Sequence, residues 1–400
     1  MQAPDSNAAA LKGIPKRIGH VVVSYKHFVL VWGGFMCKST ESDHDERTVY
    51  CPAQEVWFYN CITGIWTLGI TSGEVPCGMS GSSGVVFEDH LYLYGGMTSS
   101  DDRYRSINGL YRLDLTTLQW KVLTPSGPTP PSCDKSVSWS YKKRLYFFGG
   151  YGPRPQQPSD YDVHVDLSTT HGWNNNLSGY DPVLNAWFKP EIKGRTPEPR
   201  AAHAVAVMEN KAFVFGGRVG DIRNNELYYI NMDTMTWSAN LNENKKEESV
   251  PKGRSWLSFN FVGPRRAIVY GGLRVYGVAA MDSWEANFSD NLENVEWTKH
   301  SVLVEPRIWH QAAFCAETGE LVIVGGVSES PYEVEDEDDH VDSIMILKFQ
   351  PMSLFRLCLD AAVVLYQTSN HKTCFNALPK MLMNNIMYRV VQEFDRVDEL

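Results

Sequence analysis

The sequence lacks both a long apolar segment and an excess of basic residues. Its 400 residues contain no run of eighteen uncharged apolar residues, which excludes an ordinary membrane-spanning helix. The formal net charge of −10 provides no basic footprint for a nucleic-acid backbone or an anionic membrane surface. Neither nucleic acid nor a membrane is therefore expected as the main partner.

Cysteine is absent from the patterns that bind metal. The eight cysteines form no CxxC pair and no cluster with histidine at zinc-ligand spacing, so neither a metal nor a cofactor is expected. Residues 1–16 contain no apolar segment of signal-peptide length. We therefore expect reduced thiols in an intracellular protein, located in the nucleus, the cytoplasm or both.

An apolar run that ends in two glycines occurs six times, with 54 to 67 residues between successive pairs. Glycine at the end of a strand permits a turn or a close strand contact that a Cβ atom would obstruct. The first five pairs are each followed by a second strand pattern and then a tryptophan, and this cycle predicts a four-stranded blade. The glycine pairs are 33–34, 95–96, 149–150, 216–217, 271–272 and 325–326, and the tryptophans are Trp66, Trp120, Trp187, Trp237 and Trp297.

Six such cycles in register resemble the kelch repeat and predict an all-β fold, a six-bladed β-propeller. The composition agrees, because 31 glycines and 12% aromatic residues suit many short strands and tight turns. The sixth cycle has no room for a fourth strand before Pro351, so the N-terminal segment is expected to complete that blade. We predict a propeller over residues 1–349 and a helical tail over residues 350–400.

An Arg-x-x-His pattern recurs with the blades, at Arg17 and His20, Arg200 and His203, and Arg307 and His310. Because it follows the repeat, we interpret it as structural rather than catalytic. In the fifth blade the histidine position is occupied by Leu257.

The first part of the tail is an apolar segment with two charges, Arg356 and Asp360, between residues 353 and 366. A helix of this kind must be covered, either by the propeller or by a partner. Leu354, Cys358 and Ala362 follow one another at intervals of four residues, and this pattern resembles the BC-box by which substrate receptors bind elongin C. The implied contact residues are Leu354, Leu357, Cys358 and Ala362.

A second tail pattern resembles a cullin-2 box. A proline suits the first turn of a helix, and leucine and isoleucine one turn apart would share a face. The implied cullin-binding residues are Leu378, Pro379, Leu382 and Ile386. The two boxes together imply a substrate receptor of a cullin-2 RING ubiquitin ligase, with elongin B, elongin C, cullin 2 and its RING subunit as partners.

The fourth di-glycine is followed by Arg218, the one charged residue among the six positions after the glycine pairs. Arg223 lies on the same loop, and two guanidinium groups can hold a carboxylate or a phosphate. Pairing of these arginines with Asp221, Glu226 or backbone carbonyls is the alternative.

Several segments resemble the family of kelch-domain-containing proteins 1 and 2, including MSGSSG at 79–84, FFGGYG at 147–152, FGGR at 215–218, GRSW at 253–256 and PRIWH at 306–310. That family binds protein C-termini, especially those that end in Gly-Gly, and presents their owners for ubiquitylation. The resemblance implies a non-catalytic receptor whose pocket is formed by Lys135, Tyr151, Trp173, Arg218, Arg223, Ser255 and Trp256.

Two other functions remain open at this point. A kelch-type ring could be a non-catalytic scaffold, in the cytoskeleton or in signalling, with the tail packed on the ring. Copper radical oxidases also use a kelch-like propeller, but the sequence contains no matching Tyr, His and Cys constellation.

Overall fold

The computed structural model describes residues 13–38, 47–100, 103–156, 159–300, 305–330, 339–341, 343–368 and 372–394. The chain forms a six-bladed β-propeller followed by two helices. Each blade is built on antiparallel strands, and the innermost strands of successive blades contact one another around the ring. The predicted fold class is confirmed.

The first three blades contain the following strands. Blade 1 has β1 (Val21–Tyr25), β2 (Phe28–Trp32), β3 (Phe35–Lys38), β4 (Arg47–Tyr50), β5 (Glu55–Asn60) and β6 (Ile65–Ile70). Blade 2 has β7 (Ser72–Gly73), β8 (Ser83–Phe87), β9 (His90–Tyr94), β10 (Met97–Ser100), β11 (Arg103–Ser106), β12 (Leu110–Asp114) and β13 (Gln119–Leu123). Blade 3 has β14 (Val137–Tyr141), β15 (Arg144–Pro153), β16 (Val163–Val165), β17 (His171–Asp181) and β18 (Ala186–Phe188).

The remaining blades and the tail complete the chain. Blade 4 has β19 (Ala204–Met208), β20 (Lys211–Phe215), β21 (Arg218–Val219), β22 (Ile222–Arg223), β23 (Leu227–Asn231) and β24 (Thr236–Trp237). Blade 5 has β25 (Ser258–Gly263), β26 (Arg266–Tyr270), β27 (Ser283–Phe288) and β28 (Val295–His300), and blade 6 has β29 (Gln311–Cys315), β30 (Glu320–Val324) and β31 (Met345–Lys348). The tail helices are α1 (Leu354–Thr368) and α2 (Lys380–Phe394), and short 3-10 turns span Glu247–Ser249, Val275–Gly277 and Lys372–Ala377.

Each of the five predicted tryptophans lies on an outer strand of its blade, namely β6, β13, β18, β24 or β28. Trp66, Trp120, Trp187 and Trp237 are buried, because they pack into the hydrophobic clusters that fill the spaces between neighbouring sheets. The strand, di-glycine, strand, tryptophan cycle therefore does correspond to one blade.

Blade 6 has three strands among the described residues. The side chain of Ile14 is buried in the cluster that joins this blade to blade 1, where it packs with Val22 and Ala313. Most of the segment that was expected to supply the fourth strand, residues 1–12, lies outside the described residues, so that strand stays a prediction.

A crown of backbone hydrogen bonds links the blades around the ring. It consists of the residue that lies two positions before the innermost strand of each blade, and each of these residues has a positive φ between 53° and 66°. The innermost strands are β1, β8, β14, β19, β25 and β29. Five N–H to O=C bonds of 2.7 to 3.0 Å join these residues in order from blade 1 to blade 6. The crown residues are Gly19, Gly81, Lys135, Ala202, Trp256 and Trp309.

The Arg-x-x-His pattern surrounds this crown. In blade 4 the buried Arg200 donates from Nη1 to the carbonyl of Gly216 at 3.1 Å and from Nη2 to Glu226 Oε2 at 2.6 Å. The equivalent arginines 17, 254 and 307 likewise donate to the first glycine of their own pair. These arginines thus fix the di-glycine in four of the six blades, which supports the structural interpretation.

We expect Arg200→Met to lower the free energy of unfolding by about 3–5 kcal/mol, because it leaves a buried carbonyl and the carboxylate of Glu226 without their charged donor. Denaturant unfolding of the purified protein measures this change. Arg195→Met is the matched control, because Arg195 also pairs with a glutamate but its side chain is 88% exposed. Its unfolding midpoint should stay close to that of the wild type, and an equal loss in both variants would contradict the prediction.

We also expect His203→Leu to weaken the acid sensitivity of the fold. Burial, and then the charge of Arg200, lower the pKa of His203 from 6.5 to about 3. Below pH 6.5 the unfolded chain binds a proton at this residue that the folded chain excludes. His203 alone therefore lowers the free energy of unfolding by about 1.4 kcal/mol per pH unit as pH falls from 6.5 towards 3.

Leucine is the chosen replacement because Leu257 occupies the equivalent position in blade 5 and is buried there. Urea unfolding at pH 7, 6 and 5 should give a shallower loss of stability for His203→Leu than for the wild type. Parallel losses in the two proteins would contradict the assignment of a buried neutral histidine.

Candidate functional site

A cavity of about 250 Å³ lies on the crown. Four crown residues form part of its wall, and the loops of blades 3 and 4 that follow the di-glycines supply most of the rest. The lining residues are Lys135, Tyr151, Asp166, Trp173, Ala201, Ala202, Arg218, Trp256 and Trp309. Five of the seven residues that the sequence predicted for a pocket are therefore brought together here.

The cavity lies next to a second space of about 420 Å³ that is lined by the innermost strands. Lys135, Ala202, Trp256 and Trp309 line both spaces. The crown side chains thus separate the cavity from the inside of the ring.

Aromatic rings form the apolar part of the cavity. The rings of Trp256 and Trp309 are stacked with their centroids 5.1 Å apart, and those of Tyr151 and Trp173 lie 5.0 Å apart. All three tryptophans are buried. Trp173 pairs with Tyr151 in the register of β15 and β17, which explains why the long insertion of blade 3 places a tryptophan at this site.

Two cations border the cavity. The guanidinium carbon of Arg218 lies 5.6 Å from the centroid of Trp173, and its Nε donates to the carbonyl of Gly220 at 2.6 Å. The ammonium of Lys135 lies 5.6 Å from the centroid of Trp309 and pairs with Asp134 at 2.9 Å. Contact with the face of an indole holds the arginine guanidinium in place at the wall of the cavity.

Arg223 and Ser255 are close to the cavity but do not line it. Arg223 is the cross-strand partner of Arg218 in the two-residue hairpin of β21 and β22. Ser255 pairs through its backbone with Leu273, and its buried Oγ has no hydrogen-bond partner among the described residues. Glu226, one of the alternative partners considered for these arginines, is paired with Arg200.

Asp166 is the acidic residue of the cavity. Its carboxylate accepts hydrogen bonds from the hydroxyl of Ser168 at 2.6 Å and from the hydroxyl of Tyr151 at 2.8 Å. These bonds, with a smaller contribution from the charge of Arg218, lower the pKa of Asp166 to about 2. The pKa of Tyr151 is raised, chiefly because its ring is partly buried. Asp166 therefore remains ionised and holds Tyr151 by its hydroxyl.

Sequence reasoning missed Asp166 and Trp309. A signal for Trp309 was present, since Ile308-Trp309 in PRIWH occupies the same place in the repeat as Ser255-Trp256 in GRSW. No comparable signal exists for Asp166, because it lies in the long insertion of blade 3, outside the positions that the repeat defines.

The predicted elongin-binding residues lie on α1. Ser353 caps this helix, since its Oγ accepts a hydrogen bond from the backbone N–H of Arg356 at 3.2 Å. Leu354 is 76% exposed, Leu357 is 46% exposed, and Cys358 is also exposed. Ala362 is half-buried against the hydrophobic cluster of the tail.

The predicted cullin-binding residues are less uniform. Pro379 is exposed immediately before α2, while Leu378 and Leu382 are half-buried. Ile386 is fully buried, where it packs against Leu359 and Val363 of α1. In this arrangement Ile386 belongs to the contact between the two tail helices rather than to their surface.

Within the described part of the chain, no group of three or more His, Cys, Asp or Glu side chains is placed to hold a metal ion. No helix among the described residues is long and apolar enough to cross a membrane.

Comparison with known proteins gives concordant matches. Residues 19–272 match the KLHDC2/KLHL20/DRC7 Kelch-repeats domain. The chain is 36% identical over 386 residues to Kelch domain-containing protein 2 of Bos taurus, which covers 94% of this chain and 90% of that protein. It is 34% identical over 393 residues to Kelch domain-containing protein 1 of Mus musculus, with coverage of 94% and 90%. The solved structure of YjhT aligns with a TM-score of 0.60 at 13% identity, over 85% of this chain and 97% of that one, and shows the fold alone.

Six blades, the crown and the di-glycine strand ends define a kelch-repeat β-propeller with a small cavity at one face of the ring. The chain belongs to the family of Kelch domain-containing proteins 1 and 2.

Proposed function

We propose that this protein is the non-catalytic substrate receptor of a cullin-2 RING ubiquitin ligase. It binds C-terminal degrons, preferentially those that end in Gly-Gly, and presents their owners for ubiquitylation and proteasomal degradation. The observation that carries the proposal is the cavity of about 250 Å³, with aromatic walls and an arginine held against Trp173.

The charges of the cavity suggest how a terminal carboxylate would bind. Lys135 is already paired with Asp134, and Asp166 opposes the entry of a second anion. Arg218, whose guanidinium lies against Trp173 in the wall of the cavity, is the main carboxylate donor in this proposal, and Arg223 adds positive charge from the facing strand. Binding beside buried indoles strengthens such an interaction, because the surroundings screen charge less than water does.

The aromatic and crown side chains explain the preference for glycine. Trp173, Trp256 and Trp309 are each less than 10% exposed and leave little room beside a peptide main chain. A terminal residue without a side chain fits between them, whereas a Cβ atom would press against a close-packed wall.

The tail supports the second half of the proposal. Leu354 and Leu357 are exposed on one face of α1, and Val364 and Leu365 continue the apolar surface at 56% and 59% exposure. An apolar helix face of this length suits insertion into a hydrophobic groove. This agrees with the elongin C contact that the BC-box implies.

The direct test is the affinity of the purified protein for a peptide that ends in Gly-Gly. We expect amidation of the terminal carboxylate, or replacement of the last glycine by alanine, to weaken binding at least tenfold. Arg218→Ala should cost about 2 kcal/mol, roughly thirtyfold, because the carboxylate loses its main donor. Calorimetry measures all three.

Arg195→Ala is the control, because it removes an arginine that is 88% exposed and belongs to no part of the cavity. Its affinity for the Gly-Gly peptide should match that of the wild type. Equal binding of the amidated and free peptides would refute the assignment of a carboxylate-reading site.

For the tail, we expect the double substitution Leu354→Asp and Leu357→Asp to abolish capture of elongin B and elongin C while peptide affinity stays unchanged. Charged groups cannot be buried in an apolar groove without a large desolvation cost. Leu184→Asp on blade 3 is the control, because Leu184 is 70% exposed but far from the tail in sequence. Capture that survives the double substitution in a pull-down would overturn the docking face.

A further inference from the structure

The tail has a hydrophobic core of its own. Leu359 and Val363 of α1 pack with Ile386 and Val390 of α2, and every other member of this cluster belongs to the tail as well. Among the described residues, no hydrophobic cluster contains side chains from both the propeller and the tail. The position of the tail on the ring must therefore depend on other contacts.

Arg356 supplies the most specific of these contacts. It is the third residue of α1, it is buried, and its Nη1 donates to the backbone carbonyl of Cys61 in blade 1 at 3.1 Å. Its Nε donates to Asp360 one turn along the same helix at 3.1 Å. Asp360 also pairs with Arg389 of α2, so that its carboxylate links the guanidinium of Arg356 to the second helix.

The ring provides a matching recess. Cys61 and Gly64 lie in the turn between β5 and β6, and Gly64 has a φ of +71°. A Cβ atom at Gly64 would lie 2.4 Å from Nη2 of Arg356, which is too close for the guanidinium to remain. The guanidinium thus occupies the space that the missing side chain leaves. A buried charge that is held on several sides fixes orientation, since any displacement leaves it unpaired.

We infer that Arg356 is a positioning residue that sets the direction in which α1 leaves the propeller, and so the position of the exposed face of α1 relative to the cavity. The functional consequence rests on the proposed function. A ligase that holds its substrate at the cavity and its partners at α1 needs a fixed geometry between the two sites. The effective concentration of the substrate near the bound ubiquitin-transfer subunits depends on how rigidly the propeller and the tail are connected.

Two exposed native cysteines allow a direct measurement. Cys77 lies on the propeller and Cys358 on α1, whereas Cys51, Cys61, Cys133 and Cys315 are buried. With residues 37 and 374 changed to serine, spin labels at Cys77 and Cys358 report the distance between ring and tail by double electron–electron resonance. We expect one narrow distance distribution in the parent protein and at least a twofold wider one in Arg356→Ala.

The second variant acts from the ring. Gly64→Ala should widen the distribution like Arg356→Ala, because the new methyl group displaces the guanidinium without altering the helix. Gly277→Ala is the matched control, since Gly277 has a φ of +73° but no atom closer than 3.9 Å to an added Cβ. It carries the same backbone strain and should leave the width unchanged. An unchanged width in Arg356→Ala would overturn the inference.

The ligase assay tests the functional consequence. Ubiquitin transfer to a Gly-Gly-tailed substrate should fall at least threefold in Arg356→Ala, while affinity for the Gly-Gly peptide and capture of elongin B and elongin C stay within twofold. An unchanged transfer rate would refute the functional role of the fixed geometry. If the parent protein binds neither peptide nor elongins, the proposed function fails, and the distance measurement still decides the role of Arg356.

Discussion

The crown of backbone hydrogen bonds is the constraint on which the rest of the structure depends. Each blade contributes one residue with a positive φ, and successive crown residues are joined by bonds of 2.7 to 3.0 Å. Four of the six are not glycine, although the left-handed conformation is unfavourable for a residue with a side chain. In blades 1, 4, 5 and 6 a buried arginine two residues before the crown residue donates to the carbonyl of the first glycine of the pair, which joins the crown segment to the end of the second strand.

The site is built on this constraint. The side chains that point from the crown into the cavity are those of Lys135, Ala202, Trp256 and Trp309, and their backbones cannot shift without breaking the bonds between blades. Trp173 and Arg218, in contrast, come from the segments that follow the di-glycines. Binding residues are often placed on loops that a rigid scaffold positions, which separates selectivity from the stability of the fold.

Much of the fold could be predicted from the sequence because paired glycines and inter-blade tryptophans recur in every one of the first five repeats, and each has a distinct structural role. Four of the predicted pocket residues meet at the cavity for the same reason, since Lys135 and Trp256 occupy one recurring position of the repeat and Tyr151 and Arg218 occupy another. Trp173 reaches the cavity from the long insertion of blade 3. Trp309 was not predicted because its contact with Trp256 joins two neighbouring blades, and Asp166 was not predicted because the path of a long insertion depends on tertiary structure. Ile386 shows the same limit, because its spacing suits a partner surface and yet it packs against α1.

The most direct test of the account is a crystal structure of the protein with a bound peptide that ends in Gly-Gly. The account predicts the terminal carboxylate within hydrogen-bond distance of Arg218, with the last glycine between the rings of Trp173 and Trp256. A peptide bound elsewhere on the ring, or one whose carboxylate points to solvent, would contradict it.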